Sequence, residues 1–302
     1  MLSTISGGSG GGQSTLESDS GDLILLGAIT TRQLNLQGAG NGELRGPVNI
    51  GAYNLVLSGP GQWILSGTNS YTNTTLINGG TLLVNGRNTN NDTVTVNNGG
   101  TLGGAGLLTG PVTVNSGGTL APGNGLGSLT ISNTLALSAG STTLLQLSRT
   151  ANTNDSVRGL SSVSYGGTLQ VTNLAGTLAN GNAFKLFYAD SYAGAFAALS
   201  PATPGTGLRW NTNTLTTDGT LRITNGPVPR IVRATPQNGR LVLNVTNGMA
   251  GAAAYVQFTT NLANPAGWVR LSTNAFDGAG GLLWSNQMVP GVPATFYRVE
   301  AP

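Results

Sequence analysis

The 302-residue chain has no cysteine and no histidine, and lysine occurs once, at Lys185. Those absences exclude disulfides, zinc–thiolate centres, cysteine nucleophiles and every histidine-based triad. Charge is scarce as well: charged residues make up 8% of the chain and the net charge is +3. The sequence pI of 9.5 therefore reflects few charges of either sign more than a basic surface. The densest basic set, Arg222, Arg230, Arg233 and Arg240, has no interleaved aromatic motif. It reads as a solvated inter-domain segment, and nucleic acid is not an expected partner. No run approaches the ~20 apolar residues of a membrane helix. The opening Met1–Gln13 lacks a basic start followed by an apolar core, so it does not read as a signal peptide. Sustained helical periodicity is missing too, because glycine interrupts most longer windows.

What is abundant is glycine, at 48 residues, with asparagine, threonine and serine around it. Hydrophobic residues reach 38%, too many for a disordered chain of low net charge, and glycine does not recur at every third position as collagen requires. A fold with many tight turns remains. Gly-Gly-Thr-Leu occurs four times, beginning at Gly79, Gly99, Gly117 and Gly166. Two copies lie in longer, nearly identical strings, Val94–Leu102 and Val112–Leu120. A spacing of 18–20 residues suits one rung of a β-helix. Alternation such as Val94, Thr95, Val96 gives each strand one buried face, and the glycine pair lets the backbone turn with positive φ. The pattern predicts parallel rungs over 40–138, with Val94 stacked near Val112 and Leu102 near Leu120.

The spacing loosens after Pro122, and Leu215–Ile223 restores a Gly-Thr-Leu corner. The expected organisation is all-β: a right-handed parallel β-solenoid over 1–225 (flexible over 1–20), a Pro/Gly linker at 226–229, and a small β-sandwich over 230–302. Short strands are expected at Leu241–Val245, Ala254–Thr260, Trp268–Thr273, Leu282–Trp284 and Thr295–Val299. Turns fall at Gln237–Gly239 and Asp277-Gly278. Tyr255, Phe258, Trp268 and Phe296 are the expected core of this last unit.

The segment Trp63–Gly86 resembles the autotransporter-associated β-strand repeat, through Gly67, Asn69, Tyr71, Thr72, Thr75, Gly80, Thr81, Leu82, Val84 and Gly86. Asn73 stands where that repeat usually has glycine. Leu120–Thr130 resembles the Pro-Gly step of such passengers, and Gly181–Phe187 with Gly194–Phe196 resembles one of their late elements, with Asn182 in place of an acid. Tyr255–Leu262, Trp268 and Phe296–Val299 resemble, more loosely, a sandwich module at the ends of large exported proteins of Verrucomicrobia-type bacteria. The resemblance implies export and display at the outer cell surface, and no particular activity. The ending Val299–Pro302 departs from the aromatic-terminated outer-membrane barrel of autotransporters.

Candidate chemistry is sparse. Glycoside hydrolysis needs two carboxylates about 5–10 Å apart, and Asp22 and Glu43 have the spacing to stack on adjacent rungs. Two solvated turn residues is the plainer expectation. Calcium needs clustered acids; only Glu17, Asp19 and Asp22 cluster, and Lys185 has only Asp190 nearby. Gly7–Gly12 lacks the Lys-Ser/Thr of a phosphate loop and reads as a spacer. No cofactor or metal is expected. Tyr53, Trp63 and Tyr71 are candidates for stacking sugar rings, with packing of a repeat corner favoured for Trp63 and Tyr71. The expected function is a non-catalytic surface scaffold or stalk, with adhesion as an added role. The alternatives are a glycan-binding module and a relative of the β-helix polysaccharide lyases and hydrolases. Surface glycans or other surface proteins are the expected partners.

Overall fold

A computed structural model describes residues 5–6, 13–264, 266–287 and 294–301. The spacer expected at Gly7–Gly12 lies outside them, and so does much of the flexible start expected over 1–20. Ser14–Glu17, inside that start, is instead a strand of the first sheet. The chain divides into two compact units, Met1–Ala202 with Asn211–Arg222, and Thr203–Trp210 with Ile223–Pro302.

The first unit is a parallel β-solenoid. Its first sheet runs through nine strands from Ser14–Glu17 to Tyr192–Gly194. The second runs from Asp22–Leu25 to Ala198–Ser200, and the third through six strands from Thr68–Asn69 to Phe187–Ala189. Neighbouring strands within each sheet come from successive rungs and pair in parallel. Val94 is in register with Val112 and Leu102 with Leu120, as the repeats predict.

Alternation fixes which side chains enter the core. In the first sheet Leu34, Leu55, Thr75, Val94, Val112, Leu135 and Val163 form one column, all buried. Each fully buried aliphatic side chain stabilises by about 1.5–3 kcal/mol. Along this column the rung shortens from 21 residues (Leu34 to Leu55) to 18 (Val94 to Val112), then lengthens to 23 and 28. The extra residues leave the ladder as excursions. One is the turn after Pro122; another is a hairpin in which Leu147 pairs antiparallel with Asn154.

Two kinds of glycine shape the corners. One glycine of each Gly-Gly-Thr-Leu copy has positive φ: Gly80, Gly99, Gly117 and Gly167. Between the second and third sheets, Gly46, Gly67, Gly86 and Gly106 stack rung on rung. A Cβ on any of them would run into a backbone carbonyl of the rung before. The Leu-Ser-Gly and Val-Asn-Gly strings of the repeat therefore end in glycine because backbone packs on backbone there.

Leu215–Ile223 is not a further rung. Leu215–Asp218 forms one helical turn, and the following strand runs antiparallel to Ala183–Lys185, pairing Leu221 with Phe184. The Gly-Thr corner recurs in sequence, but Gly219 ends the helical turn with φ 71° and reverses the chain instead of stepping it along the axis.

The second unit contains two three-stranded antiparallel sheets. Arg230–Gln237, Arg240–Thr246 and Leu282–Gln287 form one; Ala253–Thr259, Val269–Ala275 and Phe296–Glu300 form the other. Asn238 and Gly239 both have positive φ, the backbone of a tight hairpin turn. The basic segment read as inter-domain is thus in part a strand, with Arg230 and Arg233 exposed on it. Gly226–Pro229 forms no strand.

The expected aromatic core of this unit is corrected. Leu243, Val245, Ala254, Val256, Phe276 and Trp284 are the buried cluster. Ala254 and Val256 face inward, so alternation turns Tyr255 the other way, under the Arg270 guanidinium at 3.5 Å. Phe258, beyond the irregularity at Val256/Gln257, is only half-buried. Trp268 precedes its strand and lies under Arg298 at 4.5 Å. Phe296 is 37% exposed, while its neighbour Tyr297 packs on the cluster.

Candidate functional site

The sequence-predicted carboxylates do meet on one face. In the second sheet Asp22 pairs with Asn41 and Ile24 with Glu43, so the two acids lie on adjacent strands, two residues out of register and therefore on the same face. They line a shallow cavity of about 160 Å³ with Ile24, Asn41, Gln62 and Ile64. Glu43 is held by Arg45 Nε at 2.9 Å and by Ser66 Oγ at 2.7 Å. Asp22 accepts from Asn41 Nδ2 at 3.1 Å. Both Glu43 oxygens thus tie neighbouring side chains together.

The aromatic candidates separate. Tyr53 is 42% exposed with Arg32 over its ring at 5.7 Å. Trp63 and Tyr71 are 0% and 1% exposed and cannot stack a sugar ring. Both lie on the inward side of their rungs. Trp63 fills the space left by Gly42, its partner in the preceding strand, where a Cβ would overlap the indole.

Tyr71 belongs to a buried polar ladder that joins three rungs. Asn69 Oδ1 accepts from the Val48 amide at 3.0 Å, and Asn69 Nδ2 donates to Asn88 Oδ1 at 2.9 Å. Asn88 Nδ2 donates to the Tyr71 hydroxyl at 2.8 Å. Tyr71 and Thr75 hydroxyls are 2.8 Å apart, and Thr75 Oγ1 donates to Asp92 Oδ2 at 2.9 Å. Asp92 is 1% exposed, and its Oδ1 has no partner among the described residues. Burial pushes its carboxyl up from the ordinary 3.8 to about 6, against the hydrogen bonds from Thr75 and Asn88. Burial, with Asp92 nearby, also pushes the Tyr71 phenol far up. The ladder can hold rungs in register; it offers no exposed reactive group. Sequence reasoning missed it, although Asn69 and Asn88 recur 19 residues apart at the same place after a Gly corner.

A second buried carboxylate pins the excursion after Pro122. Asp155 accepts from the Gly127 and Gln146 amides at 2.8 and 2.7 Å, and burial raises its pKa. On the outside, Asn78, Asn97 and Asn115 hydrogen-bond in line at 2.7 and 2.8 Å.

Asn69, Tyr71 and Thr75 of this ladder lie within a family match that ends before Asn88 and Asp92. Residues 55–84 match the passenger-associated-transport-repeat family. This repeat covers the strands Leu55–Leu57 to Gly80–Val84, including Trp63, Asn69, Tyr71 and Thr75. It agrees with the resemblance to the autotransporter-associated β-strand repeat read from Trp63–Gly86. No curated protein matches the chain. No helix among the described residues is long and apolar enough to cross a membrane. No group of three or more potential metal-ligating side chains occurs among them.

Proposed function

We propose that this chain is a non-catalytic passenger-type scaffold or stalk of an exported bacterial surface protein. The observation that carries the reading is the parallel ladder itself, which continues through nine strands of one sheet. Every rung hydrogen-bonds to the next along the solenoid axis, and the Asn69–Asn88–Asp92 ladder locks the register from inside. Such a unit resists bending and local unfolding because opening one rung exposes the apolar columns of both neighbours. The repeat match at 55–84 supports export and surface display.

Labelling of intact, unpermeabilised source cells with an antibody to the solenoid tests the location. Surface signal that disappears on external protease treatment is the expected result; signal only after permeabilisation refutes display. Incubation of the purified chain with pectin, alginate and xylan tests the scaffold reading against the enzyme alternative. Release of reducing ends or unsaturated products, abolished by Asp22→Asn or Glu43→Gln, would overturn it.

A further inference from the structure

The outer face of the third sheet is unlike the rest of the solenoid. Residues Thr68, Arg87, Leu107, Thr130 and Arg158 are in register from strand to strand. The residues that follow the first four, Asn69, Asn88, Leu108 and Ile131, are buried, so this column points outward. None of the six strands carries an acid. Arg87 and Arg158 are exposed and lie three strand spacings apart, about 14 Å at ~4.8 Å each.

At the far end of the column two cations meet one ring. The Arg158 guanidinium lies 4.4 Å from the centroid of Tyr188 and the Lys185 ammonium 4.9 Å from it. Phe187 is buried, so Tyr188 faces out. Among the described residues neither cation nor Arg87 makes an ion pair, and Asp190, two positions beyond Tyr188, pairs with neither. Arg158 does donate to Ser156 Oγ at 3.1 Å. Asp190, just past the last strand, is the one acid of this unit beside the strip: Glu17 and Asp19 lie on and just after a first-sheet strand, Asp22 and Glu43 at the second sheet's cavity, Asp92 and Asp155 are buried, and Asp218 pairs with Arg222.

We propose that this strip binds an acidic polysaccharide, with Arg158 and Lys185 holding one carboxylate or sulfate beside Tyr188 and Arg87 holding another along the axis. An exposed charge pair is worth up to ~1 kcal/mol, so a single free oxyanion is held weakly. A polymer that repeats the charge gains from simultaneous engagement. Three cations over about 14 Å are few for nucleic acid, whose duplex carries one phosphate charge per strand every ~3.4 Å of helix axis. Between Arg87 and Arg158, Leu107 and Thr130 offer apolar and hydroxyl contacts suited to a pyranose ring. This binding is separate from the scaffold reading, and an exported stalk without it remains a stalk.

The test is binding of the full chain to immobilised polygalacturonate, dextran sulfate, neutral dextran and single-stranded DNA at physiological salt. Binding to polygalacturonate or dextran sulfate is expected, the preferred one identifying a carboxylate or a sulfate ester, with none to neutral dextran. Arg158→Gln/Lys185→Gln should weaken it about tenfold or more, and Arg87→Gln about threefold. Arg45→Gln/Arg149→Gln, which removes the same net charge elsewhere, should leave it unchanged. The exposed positions of Arg87 and Arg158 keep the variants foldable, and an unchanged melting curve checks this. The proposal is overturned if the wild type binds neither polyanion, if the strip variants bind as it does, if the control weakens equally, or if DNA binds more tightly.

Discussion

Two residues show how closely the interior is specified. Gly42 sits where the strand before Trp63 must be bare, because a Cβ there overlaps the indole. Gly42→Ala should therefore cost about 1–3 kcal/mol through overpacking, read as a lower midpoint in denaturant. Pairing it with Trp63→Phe should recover part of the loss. Asp92 sets a pH dependence. Its folded pKa, about 6, lies above the ordinary 3.8, so the fold favours the protonated acid. Its contribution to stability is fully present below the unfolded value and is lost as pH rises through about 6. The facing groups are Tyr71, Thr75 and Asn88, none of them a cation. The chain should melt higher near pH 4.5 than near pH 7.5, and Asp92→Asn should flatten part of that difference. Asp155, also raised, shifts stability the same way, and Asp218, whose desolvation is outweighed by the combined pull of Thr220 and Arg222 so that its pKa is lowered, opposes it. An Asp92→Asn profile parallel to wild type would refute the assignment.

Among elements, the strands and corners were legible and the polar ladder was not. Gly-Gly-Thr-Leu announced its corners because positive φ and close backbone packing leave glycine little competition, and Val-Thr-Val announced its strands because alternation is a direct consequence of one buried face. Asn69 and Asn88 gave no such signal: asparagine is common in turns, and only the rung register places these two on the inside. Trp63 and Tyr71 could be read two ways for a related reason, since an aromatic in a strand or corner looks the same in sequence whether it faces the core or the solvent; both are buried, in line with the packing favoured for them. Inside and outside ladders should respond differently to truncation. Asn88→Ala strands the Asn69 amide in the core and leaves the Tyr71 hydroxyl with Thr75 alone, and should cost about 2–4 kcal/mol, at ~1–3 for the unpaired amide and ~1 for the lost hydrogen bond. Asn97→Ala, in the exposed ladder of Asn78 and Asn115, should cost about 1 kcal/mol or less, because water replaces the lost partner. Equal losses in denaturant titrations would mean the interior network is not what holds the register.

For the whole molecule, the sequence marked a change of character near Gly226 but misjudged which aromatics matter beyond it. Strand positions were readable to within a few residues; the inward parity was not, because Tyr255, Phe258, Trp268 and Phe296 are larger than the Ala254 and Val256 that face the core. Size suggested burial, whereas pairing with Arg270 and Arg298 lets Tyr255 and Trp268 stay at the surface under a cation. Trp284 takes the central place, packed with Tyr297 at 5.9 Å and donating from Nε1 to Ser272 Oγ at 2.8 Å. Trp284→Ala should cost about 3–5 kcal/mol, a large share of what a small unit can lose. Trp268→Ala removes a half-buried ring and a cation–π contact of ~0.5–1 kcal/mol, and should cost about 1–2 kcal/mol in all. Hydrogen exchange on the full chain distinguishes the two. In Trp284→Ala, amides of Arg240–Thr246 and Ala253–Thr259 should exchange faster, while those of Val94–Val96 and Val112–Val114 keep their protection, since solenoid strands are stabilised by their own neighbours. Loss of protection in the solenoid strands as well would show that the two units unfold as one.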